Sequence, residues 1–171
     1  MDAGMGPNSH PDEIERLIAA YYAPILRLCH VILQDRSAAE DAAQETFIKA
    51  YRGFGDFTGQ CSEKTWLTSI AVNTCRDMRK SAWRRHTVQS VTPEELPIPA
   101  PPPDEEALAL AQAIARLPAR YRDAILLYYY QDMTMQEAGY VLHTAPSTIA
   151  KRLGRARDLL RRELEVSPHE G

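Results

Sequence analysis

Apolar residues recur at helical spacing along most of the chain. Ile14, Leu17, Ile18, Tyr21, Ile25, Leu28 and Ile32 repeat every three or four positions, which predicts a long first helix. Ser37-Ala38-Ala39-Glu40 reads as a capping box that opens a second. Gly53, Gly55 and Gly59 then break the chain. A third long helix is predicted from about Ser62 to Trp83, with Leu67, Ile70, Ala71, Thr74 and Met78 as its buried stripe. Further on, Leu117-Pro118 precedes an apolar helix carrying Tyr121, Ala124, Ile125 and Tyr128. A short helix opens at Thr134, the pattern breaks from Leu142 to Pro146, and Ser147 starts a long final helix. Pro146 suits a first helical turn, and Ser147 or Thr144 can cap. No strand-like alternation is present, so the expected fold is all-α.

The final helix is two-faced. At about 100° per residue, Ile149, Leu153, Ala156, Leu160 and Leu164 form one stripe. Thr148, Lys151, Arg155 and Arg162 lie opposite, with Arg152 on the shoulder, and Asp158 is the one acid between Ser147 and Arg162. Taken alone, such a helix can simply be a solvated surface element. Helix, tight turn and basic helix in succession, however, place side chains in the major groove of DNA. Ser147, Thr148, Lys151, Arg152, Arg155 and Arg162 are therefore candidate DNA-contacting residues.

Two surfaces stand out in the N-terminal half. On the second helix Ala39, Ala43, Thr46 and Ala50 make a small-residue side for close packing. The opposite side gathers Asp41, Gln44, Glu45, Ile48 and Arg52, where an isoleucine among polar groups is either a stray apolar residue or part of a docking patch. On the third helix Arg76, Arg79 and Lys80 oppose the buried stripe, and Arg84-Arg85 extend the positive run. Trp66, Asn73 and Lys80, seven positions apart, align. An aromatic ring, an amide and a cation in a row can stack on, hydrogen-bond and neutralise a single DNA strand. Packing is the competing reading for Trp66.

Composition sharpens the division. Hydrophobic residues make up 44% and charged residues 25%, ordinary for a globular protein. The net charge of −3 is unlike a nucleic-acid binder, but it conceals a partition. Residues 86–106 hold five acids, no Lys or Arg, and six prolines, whereas 107–171 hold nine bases against seven acids. The segment 86–106 reads as an extended linker, reaching about 65 Å in polyproline II. DNA elements two helical turns apart are separated by about 70 Å, so one chain can hold two of them. The domain plan is a disordered tail at 1–11, a helical domain at 12–85, the linker, a helix-turn-helix domain at 107–165, and a tail at 166–171. No apolar run approaches the roughly 20 residues that cross a bilayer, and Met1 to Pro11 is not a signal peptide. A cytoplasmic protein without direct membrane insertion is expected. Cys29, Cys61 and Cys75 lack metal-ligand spacing and read as buried, reduced thiols.

In this order, the segments resemble the extracytoplasmic-function (ECF) branch of bacterial RNA polymerase sigma factors. The resemblance rests on Ala39-Glu40-Asp41-Ala42-Ala43-Gln44-Glu45-Thr46-Phe47-Ile48-Lys49-Ala50-Tyr51. It continues through Thr65 to Asn73 and Arg76 to Lys80. Near the other end it takes in Leu117-Pro118, Tyr121-Arg122, Thr148-Ile149, Arg152-Leu153, Arg155-Ala156-Arg157 and Leu160. The resemblance implies that Asp41, Gln44, Glu45, Ile48 and Arg52 dock on the clamp coiled coil of the polymerase largest subunit, with a further contact to the upstream flap. Residues 12–85 would be sigma region 2, whose third helix reads and helps melt the minus-ten element through Trp66, Asn73, Arg76, Arg79, Lys80 and Arg84. Residues 107–165 would be region 4, reading the minus-thirty-five element, and the acidic linker would thread the polymerase towards the RNA exit path. The resemblance also implies an anti-sigma partner, commonly membrane-anchored, with promoter DNA and core polymerase as the other partners. No cofactor, metal or catalytic residue is implied.

Three positions depart from the family pattern. Glu137-Ala138-Gly139 stands where Glu-Ile-Ala is usual, which thins the core and puts a glycine inside a helix at about 1 kcal/mol against alanine. His143 replaces a turn glycine, and Ala150 replaces a polar or basic base-reader. Weaker or altered minus-thirty-five recognition is the expectation. The alternative reading is a stand-alone helix-turn-helix regulator, which predicts a dimer on a palindromic site, bound without polymerase. No phosphate loop, metal cluster or nucleophile triad supports an enzyme.

Overall fold

The computed structural model describes residues 10–85 and 104–166, with side chains from 11 to 82 and from 104 to 165. Among the described residues every regular element is helical. The chain forms two compact units, Met1–Leu96 and Pro97–Gly171.

The first unit contains α1 (His10–Leu33), α2 (Arg36–Gly53), a 3-10 turn (Phe54–Asp56) and α3 (Glu63–Arg85). Each of the three helices packs on the other two. Leu17, Leu28 and Cys29 from α1, Ala42, Ala43 and Phe47 from α2, and Leu67, Val72 and Cys75 from α3 fill the core. α1 ends with Gln34 in the left-handed region (φ 55°), its N–H donating to the His30 carbonyl at 2.8 Å. The next residue, Asp35, is extended and accepts the Ala38 N–H at 2.9 Å. α2 therefore starts at Arg36, and the expected capping box at Ser37-Glu40 does not form: Asp35 is the first residue off the turn with a carboxylate short enough to reach the helix end. Glu40 instead accepts from Arg36 Nε, one turn away, at 3.1 Å. Arg16 on α1 donates to Glu63 on α3 at 2.6 Å and to Glu13 at 2.9 Å. The Arg16 bonds hold the Glu63 carboxyl below the ordinary glutamate value, against a small opposing effect of burial.

Two expectations for α1 need correction. Ile18 is exposed, because it sits on the shoulder facing a surface groove and not the core. From Pro11 to Leu33 the helix is also long and apolar enough, by length and composition, to cross a membrane, contrary to the expectation that no run approaches that length. Its Ile14, Leu17, Ile25, Leu28 and Ile32 are buried here, so this apolar character belongs to the core of the three-helix unit.

The second unit contains α4 (Glu105–Arg116), α5 (Ala119–Ile125) running into a π-helical turn (Leu126–Tyr130), α6 (Met135–Leu142) and α7 (Pro146–Val166). Asp104 caps α4, accepting the Ala107 N–H at 2.7 Å. Glu105 and Glu106 are thus helical, favourably placed at a positive helix end, and are not the last residues of a linker. Residues 86–103, the rest of that expected linker, and the tails at 1–9 and 167–171 lie outside the described residues. Thr134 and Glu137 form a reciprocal capping box on α6, at 3.0 and 2.9 Å. The core is built from Leu117, Leu127, Val141, Leu142, Ile149, Leu153, Ala156 and Leu160. Leu164, expected on the same stripe, is 38% exposed. Arg122 and Asp123 are both buried, with Nε and Oδ1 3.6 Å apart. Arg116 on α4 and Glu163 on α7 pair at 2.8 Å.

Candidate nucleic-acid interface and protein-docking face

α2 is flattened on one side by alanines. Ala39, Ala42, Ala43 and Ala50 are all within 1% of complete burial, and Thr46 Oγ1 returns its hydrogen bond to the Ala42 carbonyl at 2.7 Å. Close packing on that side fixes the outward direction of the other. Asp41, Gln44, Ile48 and Arg52 are exposed, and Glu45 is half-buried. The sequence missed what lies beside them. Ile14, Ile18 and Tyr22 of α1 and Gln44, Phe47, Ile48 and Tyr51 of α2 line a groove of about 420 Å³, almost entirely apolar. Ile48 is one wall of this groove. Ile18 and Tyr22, one turn apart on the shoulder of α1, were the available signal; Ile18 was read as part of the core stripe, because a wheel shows only one partner for each face.

Ser62 immediately precedes α3; its Oγ accepts the Thr65 N–H at 3.1 Å and donates to Thr65 Oγ1 at 2.9 Å. The preceding loop turns through Gly59 at φ 74°, where a side chain would be strained. Trp66 is half-buried and stacked on Phe57, ring centroids 4.6 Å apart, with Phe54 edge-on at 6.3 Å. It holds the loop against the helix. Asn73 and Arg76 are half-buried, while Arg79 and Lys80 are exposed beside exposed Asp77. The Arg84 side chain lies outside the described residues. Lys49 reaches from α2 to donate to Thr74 Oγ1 at 3.1 Å, and Thr74 donates to the Ile70 carbonyl at 2.7 Å.

The α6–α7 turn is built around two unusual residues. His143 closes α6 in the left-handed region at φ 53°. The Thr144 N–H donates to the Gly139 carbonyl at 2.9 Å, pulling the turn down onto the helix. A Cβ at Gly139 would meet the Thr144 oxygen at 2.6 Å. Gly139 is therefore where the turn crosses the helix. α7 begins at Pro146, with the Ala145 carbonyl accepting from Thr148 and Ile149 at 3.0 and 3.1 Å. Ser147 lies inside this first turn, so it is not the cap. With Ile149, Leu153 and Ala156 completely buried, Ser147, Lys151, Arg155 and Arg162 face solvent, and Thr148, Ala150 and Arg152 are half-buried. Arg157 points elsewhere: Nη1 donates to the Tyr129 hydroxyl of the π turn at 2.9 Å. Among the described residues no three His, Cys, Asp or Glu side chains come together to hold a metal ion.

This geometry agrees with comparisons to known proteins. Residues 17–85 match the family model for sigma-70 region 2, and residues 107–160 match sigma-70 region 4. RNA polymerase sigma-H factor of Pseudomonas aeruginosa is 31% identical, covering 87% of this chain and 84% of its own. The ECF RNA polymerase sigma factor SigW of Bacillus subtilis is 30% identical, covering 90% and 89% respectively. The sigma factor RpoE, solved with the anti-sigma factor NepR from Bartonella quintana, shares the fold with a TM-score of 0.73 at 23% identity over 91% of this chain and 99% of that one. CnrH, solved with the cytosolic domain of CnrY, aligns at 0.71 and 21% over 95% and 94%. With a region 2 and a region 4 in series, and relatives of this identity along nearly their whole length, the chain belongs to the ECF sigma factors of bacterial RNA polymerase.

Proposed function

We propose that the three surfaces divide the work of promoter-directed initiation. The α2 face of Asp41, Gln44, Glu45, Ile48 and Arg52 holds core polymerase at the clamp coiled coil. The basic side of α3, with Asn73, Arg76, Arg79, Lys80 and Arg84, engages the opened minus-ten strand. Trp66 serves it by bracing the loop. Ser147, Thr148, Lys151 and Arg155 meet the minus-thirty-five element, with Arg152 and Arg162 nearer phosphates. The observation that carries this reading is that α7 has one completely buried stripe and a basic face opposite it, directly after a tight turn. The chain performs no catalysis of its own and works in the cytoplasm. Its fold neighbours were solved with anti-sigma proteins, which supports a partner of that class here, membrane-anchored in the common arrangement, that covers these faces until a signal releases them.

The test is run-off transcription with core polymerase on a genomic DNA library. Discrete start sites sharing two upstream elements are expected. Lys151→Ala and Arg155→Ala should each lower use of such a promoter by roughly 10-fold, the effect of losing one good base or phosphate contact, with polymerase binding unchanged. Gln44→Ala with Ile48→Asp should do the reverse and lose polymerase first. Loss of core binding in the Lys151 or Arg155 variant overturns the division. Protection of a symmetric site by the chain alone favours a stand-alone regulator.

A further inference from the structure

Gly154 lies in the middle of α7, and among the described residues nothing asks for a glycine there. Its backbone is ordinary helix, without the positive φ of Gly59. Beyond its chain neighbours and the helix's own backbone, a Cβ at Gly154 would meet no described atom within 4 Å, whereas at Gly139 it strikes the turn. Apart from proline, glycine is the least favourable residue in a helix interior. Alanine at this position would therefore stabilise the fold. Gly154 is half-buried, one turn from exposed Lys151 and half-buried Ala150, and next to exposed Arg155. Side chains on a helix lean towards its N-terminus, so Arg157 and Asp158 are the two that could fold over the gap. Arg157 is drawn off to the Tyr129 hydroxyl at 2.9 Å, and Asp158 leaves the space clear.

We propose that Gly154 is a specificity-determining position of α7, admitting beside Ala150 the methyl group of one thymine in the minus-thirty-five element. The assignment rests on the reading that α7 enters the major groove. Base pairs present hydrogen-bonding groups in that groove, and the one apolar group on a base edge there is the C5 methyl of thymine. Gly154 and Ala150 carry no side-chain donor or acceptor, so neither reads a base by hydrogen bonding. They offer space and an apolar contact instead. Lys151 and Arg155 flank the opening and are long enough to reach neighbouring base edges or phosphates. With no side chain at 154, the helix comes closer to the base pairs than a larger residue would permit. Ala150 then reads by contact where a polar residue would read by hydrogen bond.

The experiment uses the full chain bound to core polymerase, with a DNA duplex library randomised through the minus-thirty-five element. Selection by the unaltered chain should enrich thymine at one position, and selection by Gly154→Ala should lose that enrichment. In a selected duplex, uracil at the same position removes only the methyl group. It should weaken binding of the unaltered chain roughly 4-fold, what burying one methyl supplies. Gly154→Ala should bind the thymine duplex about 10-fold less tightly, from crowding, and regain part of that loss on the uracil duplex. Its melting midpoint should nevertheless rise by roughly 4–8 °C, so the lost binding is not that of a damaged fold. A lower midpoint would give the glycine an internal purpose and overturn the proposal. So would equal binding of uracil and thymine duplexes by the unaltered chain, or the same selection by both chains. Lys151→Ala separates this failure from that of the reading beneath it. Selection unchanged by either variant means that α7 does not read DNA; selection changed by Lys151→Ala alone sinks only the thymine contact. The uracil comparison alters nothing in the chain, so it decides the matter even where a variant fails to fold.

Discussion

Gly139 carries no side chain because the Thr144 carbonyl oxygen already occupies the space, 2.6 Å from where a Cβ would lie. Helix propensity alone favours alanine there by about 1 kcal/mol, whereas the clash is with backbone that cannot rotate away. Gly139→Ala should therefore destabilise the second unit by about 1–3 kcal/mol, seen as a lower melting midpoint; a higher midpoint would mean that the turn can move. The sequence could not announce this. A helical wheel places each residue against its own helix, and the contact at Gly139 comes from a turn that folds back five residues later. Trp66 was ambiguous for a similar reason: stacking on Phe57 depends on a loop whose path is set by Gly59 at φ 74°. Ile149, Leu153 and Ala156, by contrast, were legible, because a strict stripe on a long helix leaves one face to bury.

Among the elements, the helices themselves were readable and their ends were less so. α2 and α7 each start one residue ahead of the expected position, at Arg36 and Pro146, and α4 claims two residues read as linker. End positions depend on which nearby oxygen reaches the first free N–H groups, and several short polar residues compete for that role. The apolar groove was illegible because it needs two helices side by side before it exists. How α1 meets α3 is testable through Glu63. Its carboxyl is held below the ordinary value of 4.5 by Arg16. A depressed carboxyl contributes stability in full above the unfolded value and loses it as pH falls through the folded one. The Arg16–Glu63 contribution should therefore be intact at neutral pH and vanish only in acid. A carbon-detected titration of Glu63 should give a midpoint below 4.5, and Arg16→Ala should return it to the ordinary glutamate range. Both groups are partly open to solvent, so added salt should weaken the shift.

At the scale of the whole molecule, each unit has its own core, one centred on Leu17 and Leu67, the other on Leu127, Ile149 and Leu153. Leu17→Ala removes a completely buried side chain and should destabilise the first unit by about 2–5 kcal/mol. Hydrogen exchange should then quicken across α1 to α3 and leave α7 as protected as before; equal loss in both would show that they unfold as one. The partition into two helical bodies was legible from the prolines and charges of 86–106, since such a stretch cannot bury a core. Order along the chain has a consequence in time. α1, a long apolar helix that passes for a membrane span on length and composition, is made before both of the helices that cover it. Roughly fifty more residues must be added before α3 is complete, about 3–10 s at the pace of a bacterial ribosome. For those seconds the emerging segment carries a greasy side that its partner helices do not yet cover, so whatever shelters the first helix during synthesis guards it against aggregation.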